Sequence, residues 1–452
     1  METKVTRRAI NGIKIPGERG TVWRLCRARQ KNMPEVCLEN RQMCTKHVHK
    51  TSIQSGKPTL LDKSHYITGG EEMKSILDCC CGLDVHKDKI EACILKTAEQ
   101  TAIRSTFGSK SSELDQLCEW LNENECYHVA MESTGVYWQP IYDRIEEKCL
   151  GILSLMVVNA HHMHNVPGRK TDVKDAEWIA ELLQHGLLTN SFIPRKEIRT
   201  MREISRARRK YVQERSTHLN RLEKYLQSHG FKLSSVVSNI LGASGEKILR
   251  KLAVQGSLSL SEVTSCCNQH LRKSPEEIYE AISGKLEQLD CLFLQSELDW
   301  LDNLNVHINR LSMLLKEITK DFKEKVHILD TIPGINEDSA IEVLAEISDS
   351  PKDSFATASN LSNWAGLAPR NDESAGDIKS RKILHGNPYV KSILVQCAWA
   401  AVKARNSRFS IWFWKHSGRL GKKKAIIAVA RKLLVTIYTM LETGEIYNPL
   451  AA

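Results

Sequence analysis

The chain reads as an α/β unit followed by an all-α remainder, and three observations carry that expectation. Short apolar runs at 76–85, 89–96, 127–132 and 153–160 are bounded by polar or turn-forming residues, as buried strands are. Residues 171–186 repeat their apolar positions at helical spacing, so strands and helices alternate up to about residue 194. From residue 195 onward no strand pattern recurs, and long amphipathic segments take over.

In chain order, residues 1–72 stand apart. They carry 14 Lys and Arg, show little periodicity, and contain breakers at Pro16, Gly17, Gly20, Pro34 and Pro58. Cys37, Cys44, His47 and His49 follow a C-x6-C-x2-H-x-H spacing that fits no common zinc pattern. The stretch "GGEEMKSIL" requires purine-rich codons before Met73, in the manner of a bacterial ribosome-binding site. Residues 1–72 are therefore expected to be a basic extension, either untranslated or disordered, with synthesis starting at Met73. An intact mass equal to the full 452 residues would exclude that start.

Residues 73–194 form the predicted α/β domain. "ILDCCCGLDV" (76–85) is a buried strand, and the alternating "KIEACILK" (89–96) follows a His86-Lys87-Asp88 turn, so the two make a hairpin. "YHVAME" and "LSLMVVNA" are two more strands around a helical "YWQPIYDRIEEK". In the helix of 171–186, Ala176, Ile179, Ala180 and Leu183 share one face, with Thr171 or Asp172 as cap and Gly186 as stop.

Residues 195–325 read as a helical coiled-coil region. The stretch 195–224 has 11 Lys and Arg against 4 Glu, on a seam interrupted by Arg208 and Arg215, and 311–322 is a second amphipathic piece. Two long helices pairing antiparallel is the expected arrangement. Residues 326–452 form a helical C-terminal domain. It opens on "ILDTIPGINEDSAIEVLAEI", a helix-hairpin-helix pattern with Asn336 where a second glycine is usual. The polar loop "RNDESAGDIKSRKILHGNPYV" follows, and then two long helices.

The composition gives 64 Lys and Arg against 54 Asp and Glu, a net charge of +10, which favours a polyanionic partner. No run of eighteen apolar residues occurs, so no membrane span is expected. The 14 cysteines are scattered, with Cys79, Cys80 and Cys81 in an apolar run, which suits a reducing cytoplasm and buried thiols.

The acids are more specific. Asp84 and Glu132 each end a buried strand, a costly place for an unpaired carboxylate. Asp172 and Asp175 lie three apart on one helix face. If the strands are neighbours and the helix crosses their carboxyl ends, four carboxylates meet. Divalent metal is the simplest neutraliser, and Mg2+, with its preference for oxygen ligands, suits best. The set fits in-line displacement at phosphorus by two metals about 4 Å apart.

With these residues in hand, "GLDVHKDKI", "VAMESTGVYW", "GRKTDVKDAEWIAELLQHGLL", "LAPRNDESAGDIKSRKILHGNPYVKSILVQCAWAA" and "GKKKAIIAVARKLLVTIY" resemble, in order, the DEDD-type transposases of bacterial insertion sequences. The resemblance spans about residues 76–445. It implies a RuvC-like, ribonuclease-H-like catalytic domain, then a coiled coil, then a serine-bearing transposase domain. It makes Asp84, Glu132, Asp172 and Asp175 the acidic tetrad and Ser374 the catalytic serine, with Ser380 as the rival. A serine hydroxyl needs activation to act as a nucleophile, which bound metal supplies, and its attack would leave a phosphoserine link to DNA. Arg370, Lys379, Arg381 and Lys382 are the expected phosphate contacts around it.

The resemblance also implies DNA partners (insertion-sequence ends and target), a structured guide (bridge) RNA, and a homo-dimer or tetramer, in a cytoplasmic, nucleoid-associated setting. Arg202, Arg206 and Arg209 of the basic helix are then candidate nucleic-acid contacts. Two other classes remain open on the residues alone. One is a junction-resolving nuclease using the same tetrad with water; the other is a nucleic-acid-binding protein whose carboxylates are structural.

Overall fold

A computed structural model describes residues 75–97, 101–133, 135–149, 151–159, 175–269, 271–369, 372–374, 377–380 and 382–449, with the backbone alone at 101, 372–374 and 377–380. The basic extension, its Cys37, Cys44, His47 and His49, the proposed start at Met73, and Asp172, Arg370 and Arg381 lie outside these residues.

Five strands form the N-terminal sheet: β1 (Cys79–Val85), β2 (Lys89–Lys96), β3 (Thr101–Gly108), β4 (His128–Glu132) and β5 (Ser154–Val158). Their order is β3-β2-β1-β4-β5. β1, β2 and β3 are antiparallel, while β4 pairs parallel with both β1 and β5. This mixed topology is RuvC-like, as the sequence predicts. The β1–β2 turn is closed by the His86 N–H donating to the Lys89 carbonyl at 3.0 Å. β3 was not foreseen. Its alternation is masked by Arg104 and Thr106, which carry polar groups on the face opposite Ile103 and Phe107.

The pleat divides the sheet into two faces. On one, Cys81, Leu83, Val85, Ile90, Met131 and Val157 pack beneath α1 (Ser111–Glu123) and α2 (Trp138–Lys148). On the other, Cys80, Ala130 and Val158 meet Ile179, Leu182 and Leu183 of α3 (Asp175–Gln184). Gly82 permits that second contact, because a Cβ there would stand 2.1 Å from the Ala176 carbonyl oxygen and 2.5 Å from the Ala180 nitrogen. The Cys80 thiol donates to the Ala180 carbonyl at 3.4 Å beside it. α3 therefore lies directly on β1.

α4 (Lys196–Ser228) and α9 (Gln288–Ile318) are the two arms of the expected coiled coil. Their direction is antiparallel: Arg208 bonds Ser312, Tyr211 stacks on His307, His218 meets Glu297, and the Tyr225 hydroxyl donates to Asp290 at 2.6 Å. The second arm starts well before residue 311, because Leu294, Leu298 and Leu301 continue its buried stripe. Between the far ends sits a helical cap of α5 (Leu233–Val236), α6 (Ala243–Gln255), α7 (Leu260–Cys266) and α8 (Pro275–Ala281), with its own core around Phe231, Ile248, Leu252, Val263 and Ile278. Arg208 breaks the seam for a reason: it also bonds Glu342 at 2.9 Å.

In the C-terminal part, α10 (Lys323–Asp330) and α11 (Glu337–Ile347) form the hairpin foreseen from "TIPGIN". Gly334 has φ +89°, and a Cβ on it would lie 2.3 Å from the Ala401 nitrogen, so the turn is pressed against a later helix. Asn336 stands where a glycine was awaited because it is the N-cap of α11, its Oδ1 accepting from the Ser339 N–H at 3.1 Å. α12 (Ala358–Trp364), strands β6 (Asp372–Ser374) and β7 (Asp377–Ser380), α13 (Pro388–Lys403), α14 (Arg408–Leu420) and α15 (Lys422–Thr443) complete the chain. Among the described residues no helix is long and apolar enough to cross a membrane.

Candidate active site

β1 and β4 run parallel with Leu83 opposite Met131. Asp84 and Glu132 are the next residues on each strand, so they sit side by side at the carboxyl edge of the sheet. Both have the parity of Gly82 and Ala130, which places them on the α3 face. α3 opens at Asp175, one residue before the Ala176 carbonyl that touches Gly82. The close approach at Gly82 thus brings the first turn of α3 to Asp84. Three of the four predicted acids, Asp84, Glu132 and Asp175, are gathered by strand register and helix docking; Asp172 lies outside the described residues.

Asp84 is buried, with 5% of its surface exposed. Burial pushes its carboxyl above the usual carboxylate range; His86 opposes the shift, while the charges of Asp175 and Glu91 add to it. His86 Nε2 stands 3.0 Å from Asp84 Oδ2. Sequence reasoning treated His86 as a turn residue only. It also missed Glu91, which pairs across the hairpin with Asp84. The Thr106 hydroxyl donates to Glu91 at 2.7 Å and holds it below the usual range, helped by Lys89 at 3.2 Å. The missed signal was the β2 alternation, which puts Glu91 on the Asp84 face once the three-residue turn is counted. Among the described residues no three His, Cys, Asp or Glu side chains stand at metal-holding spacing.

The polar loop read from the sequence is instead a two-stranded ribbon. Ser374 pairs with Asp377, Glu373 with Ile378 and Asp372 with Ser380, with a register shift between Asp372 and Glu373. An isolated bridge joins Pro369 to Ile383 below it. At the base, a Cβ on Gly386 would lie 2.2 Å from the Gly366 nitrogen, and the Asn387 N–H donates to the Trp364 carbonyl at 3.1 Å. Both glycines have positive φ, at +69° and +57°, so two legs of the ribbon interlock where no side chain fits. Ser374 ends β6 near the tip, while Ser380 lies at the foot of β7. Lys379 is on β7 and Lys382 follows the ribbon.

The base of the ribbon is fastened to the coiled coil by a buried carboxylate. Glu346, 1% exposed, accepts Arg206 Nε at 2.7 Å and Nη2 at 2.8 Å, and Asn387 Nδ2 at 2.8 Å. Arg202 caps the end of α11 by donating to the Ala345 and Glu346 carbonyls at 2.9 Å each. Burial pulls its guanidinium down to about 10. Arg209 donates to the Tyr389 carbonyl and the Ser392 hydroxyl, and Arg206 stacks over the Tyr389 ring at 4.1 Å. Arg202, Arg206 and Arg209, expected as nucleic-acid contacts, each donate hydrogen bonds within the chain while remaining partly exposed. Lys210, Arg221 and Lys224 remain exposed on α4.

Two stretches of the chain match known protein families. Residues 81–231, which contain all four acids, match the family model of the IS110 DEDD transposases. Residues 326–411, which contain the ribbon, match the transposase family IS116/IS110/IS902. The pilin gene-inverting proteins of Moraxella bovis and Moraxella lacunata are 23% and 22% identical over 377 residues, covering 81% of this chain and 97% of each of theirs. The transposase for insertion sequence element IS1111A of Coxiella burnetii is 23% identical over 309 residues, 66% of this chain and 74% of its own. With a RuvC-like sheet carrying clustered acids at its carboxyl edge and a separate helical domain behind it, the chain belongs to the IS110/IS1111 family of DEDD transposases, enzymes of DNA recombination.

Proposed function

We propose that the chain breaks and rejoins DNA strands through a phosphoserine intermediate at Ser374, with Asp84, Glu132, Asp172 and Asp175 holding Mg2+ and a structured RNA choosing the sites. The observation that carries this reading is the gathering of Asp84, Glu132 and Asp175 at one sheet edge, with the Asp84 carboxyl buried beside a second negative charge. Carboxylate oxygens are the hard donors that magnesium takes, and Asp172, which lies outside the described residues, would be needed to complete the set. When bound, the ion lowers the cost of charge at the scissile phosphate and favours ionisation of a nearby hydroxyl.

The chain's own residues do the rest. Asp84, Glu132 and Asp175 fix the position of the phosphate relative to the sheet. His86, with Nε2 3.0 Å from Asp84 Oδ2, is the group an incoming cation would displace. The Ser374 hydroxyl forms an Oγ–P bond as the bond from phosphorus to a deoxyribose oxygen breaks; the serine proton is lost and the leaving oxygen takes one up. One phosphodiester replaces another, so resealing needs no nucleotide hydrolysis. Lys379, Lys382, Arg370 and Arg381 bracket the serine in sequence and are the cations that would meet the developing charge.

Acids on the sheet and serine on the ribbon come from separate parts of the chain, which suits an assembly of two or four copies in which one copy's acids work with another's serine. The relatives described as pilin gene-inverting support rearrangement over simple hydrolysis. Supercoiled plasmids carrying the element ends, incubated with protein, RNA transcribed from the flanking region, and Mg2+, provide the test. Wild type is expected to yield recombinants and, after detergent quenching, a protein–DNA adduct. Ser374→Ala loses both and Asp84→Ala loses both. Cleavage that persists in Ser374→Ala without an adduct would replace this mechanism with nuclease chemistry.

A further inference from the structure

Between Ile378 and Leu441 the chain has no Asp or Glu and 14 Lys and Arg, more than the +10 net charge of all 452 residues. The rest of the molecule is therefore net acidic, and the positive charge is concentrated on α13, α14 and α15. The basic arm α4 behaves oppositely, with Arg206 and Arg208 bonded to Glu346 and Glu342. Lys415, Arg419, Lys422, Lys423 and Lys424 are exposed, and among the described residues none of them pairs with a carboxylate. Acid returns only at Glu442, which is itself bridged to Lys352 at 3.0 Å.

Within this surface α14 and α15 enclose a groove of about 550 Å³. Its apolar lining is Ala428, Val435 and the buried Phe409, and its cations are Arg408, Arg431 and Lys432. The Lys432 ammonium lies 5.3 Å over the Trp412 ring, which also lines the groove. A purely electrostatic site for duplex phosphates would have no use for an apolar lining. A splayed single strand needs both features: cations along its phosphates, and an apolar or aromatic surface for an unstacked base. We infer that the α14–α15 groove binds single-stranded DNA exposed during strand exchange, phosphates on Arg431 and Lys432 and a base against the apolar lining beside Trp412. The inference rests on the recombinase reading, since strand exchange is what supplies such a strand next to the domain that carries the ribbon.

Fluorescence anisotropy of labelled 20-nucleotide probes tests it, using single-stranded DNA, the same sequence as RNA, and duplex DNA. Wild type is expected to bind single-stranded DNA more tightly than duplex. The Arg431→Gln/Lys432→Gln variant should weaken single-strand binding at least tenfold and flatten the plot of log affinity against log salt by roughly 1.4, two phosphate contacts' worth. Lys247→Gln/Lys285→Gln, which removes the same charge from the exposed surface of the helical cap, should change it less than twofold. Lys423→Gln/Lys424→Gln, at the exposed start of α15, is an independent variant expected to weaken binding should the first pair disturb the fold. Single-strand affinity unchanged in both groove-side variants overturns the inference, as does tighter binding of the RNA probe. A changed oligomer mass by light scattering with unchanged DNA affinity also overturns it, making the face a protein interface. If wild type rearranges no DNA in the plasmid assay, the recombinase reading fails; if it does and these affinities do not move, only the groove assignment falls.

Discussion

Replacing Glu346 by Ala removes the fastener between the coiled coil and the foot of the serine ribbon. The side chain accepts two guanidinium hydrogen bonds from Arg206 and one amide hydrogen bond from Asn387, all at 2.7–2.8 Å. Glu346 is almost completely buried, Arg202 is 15% exposed and Arg206 34%. Breaking a fully buried pair costs about 3–5 kcal/mol, because the surviving charge is left without a partner. Arg206 retains some access to water, which places Glu346→Ala near the lower end, at about 3 kcal/mol. The chain has several cores and will not unfold in one step, so hydrogen exchange across α11 and α13 is the appropriate assay. Exchange there should accelerate by roughly a hundredfold, which is what about 3 kcal/mol means. A double-mutant cycle with Arg206→Ala should show coupling of at least ~1.5 kcal/mol. Strictly additive effects, or protection changed by less than about fivefold, would refute the claim that this carboxylate ties the two elements together.

The Gly82 contact makes a second case. Gly82→Ala should drive α3 off β1 and lower the melting temperature sharply along with plasmid recombination. Gly418→Ala, where no atom lies within 4 Å of the new Cβ, should stabilise α14 by about 0.5–1 kcal/mol. The Asp84 carboxyl is raised above 3.8 by burial, so the folded state binds its proton more tightly than the unfolded chain does. Stability must then fall as pH rises from about that value through the folded pKa. Asp84→Asn should match wild type at acid pH and melt higher at neutral pH while losing recombination; a lower neutral melting point would contradict the burial account. Asn336→Ala should cost about 1 kcal/mol in hydrogen-exchange protection of α11 and Asn336→Gly only a few tenths, as an N-cap requires. Equal losses would return that position to a strained-glycine reading.

How much was legible before the fold depended on whether a residue's meaning is local. β1 and β2 were readable because their alternation and burial are written in consecutive residues, and β2 spans the expected 89–96. α13 and α15 were readable for the same reason, from an Asn-Pro start and a Gly-bounded helical period. Asp84 and Glu132 stood out as carboxylates ending apolar strands, which is anomalous without any tertiary knowledge. β3 was hidden because Arg104 and Thr106 look like loop residues until Glu177 and Glu91 are beside them. The ribbon was hidden because its legs meet at Gly366 and Gly386, twenty positions apart and through backbone alone.

By itself the sequence determined that strands precede helices, that four acids recur in an ordered pattern, and that a serine follows in a cationic stretch. These depend on period, propensity and the cost of burying charge, all of which act along the chain. Which cations are used up inside the molecule was decided only by tertiary contact. Arg206 and Lys432 are equally basic letters in a sequence; Glu346 neutralises the first, and among the described residues no carboxylate pairs with Lys422, Lys423 or Lys424 on α15. Coulomb energy depends on distance in space, and the folded chain sets that distance.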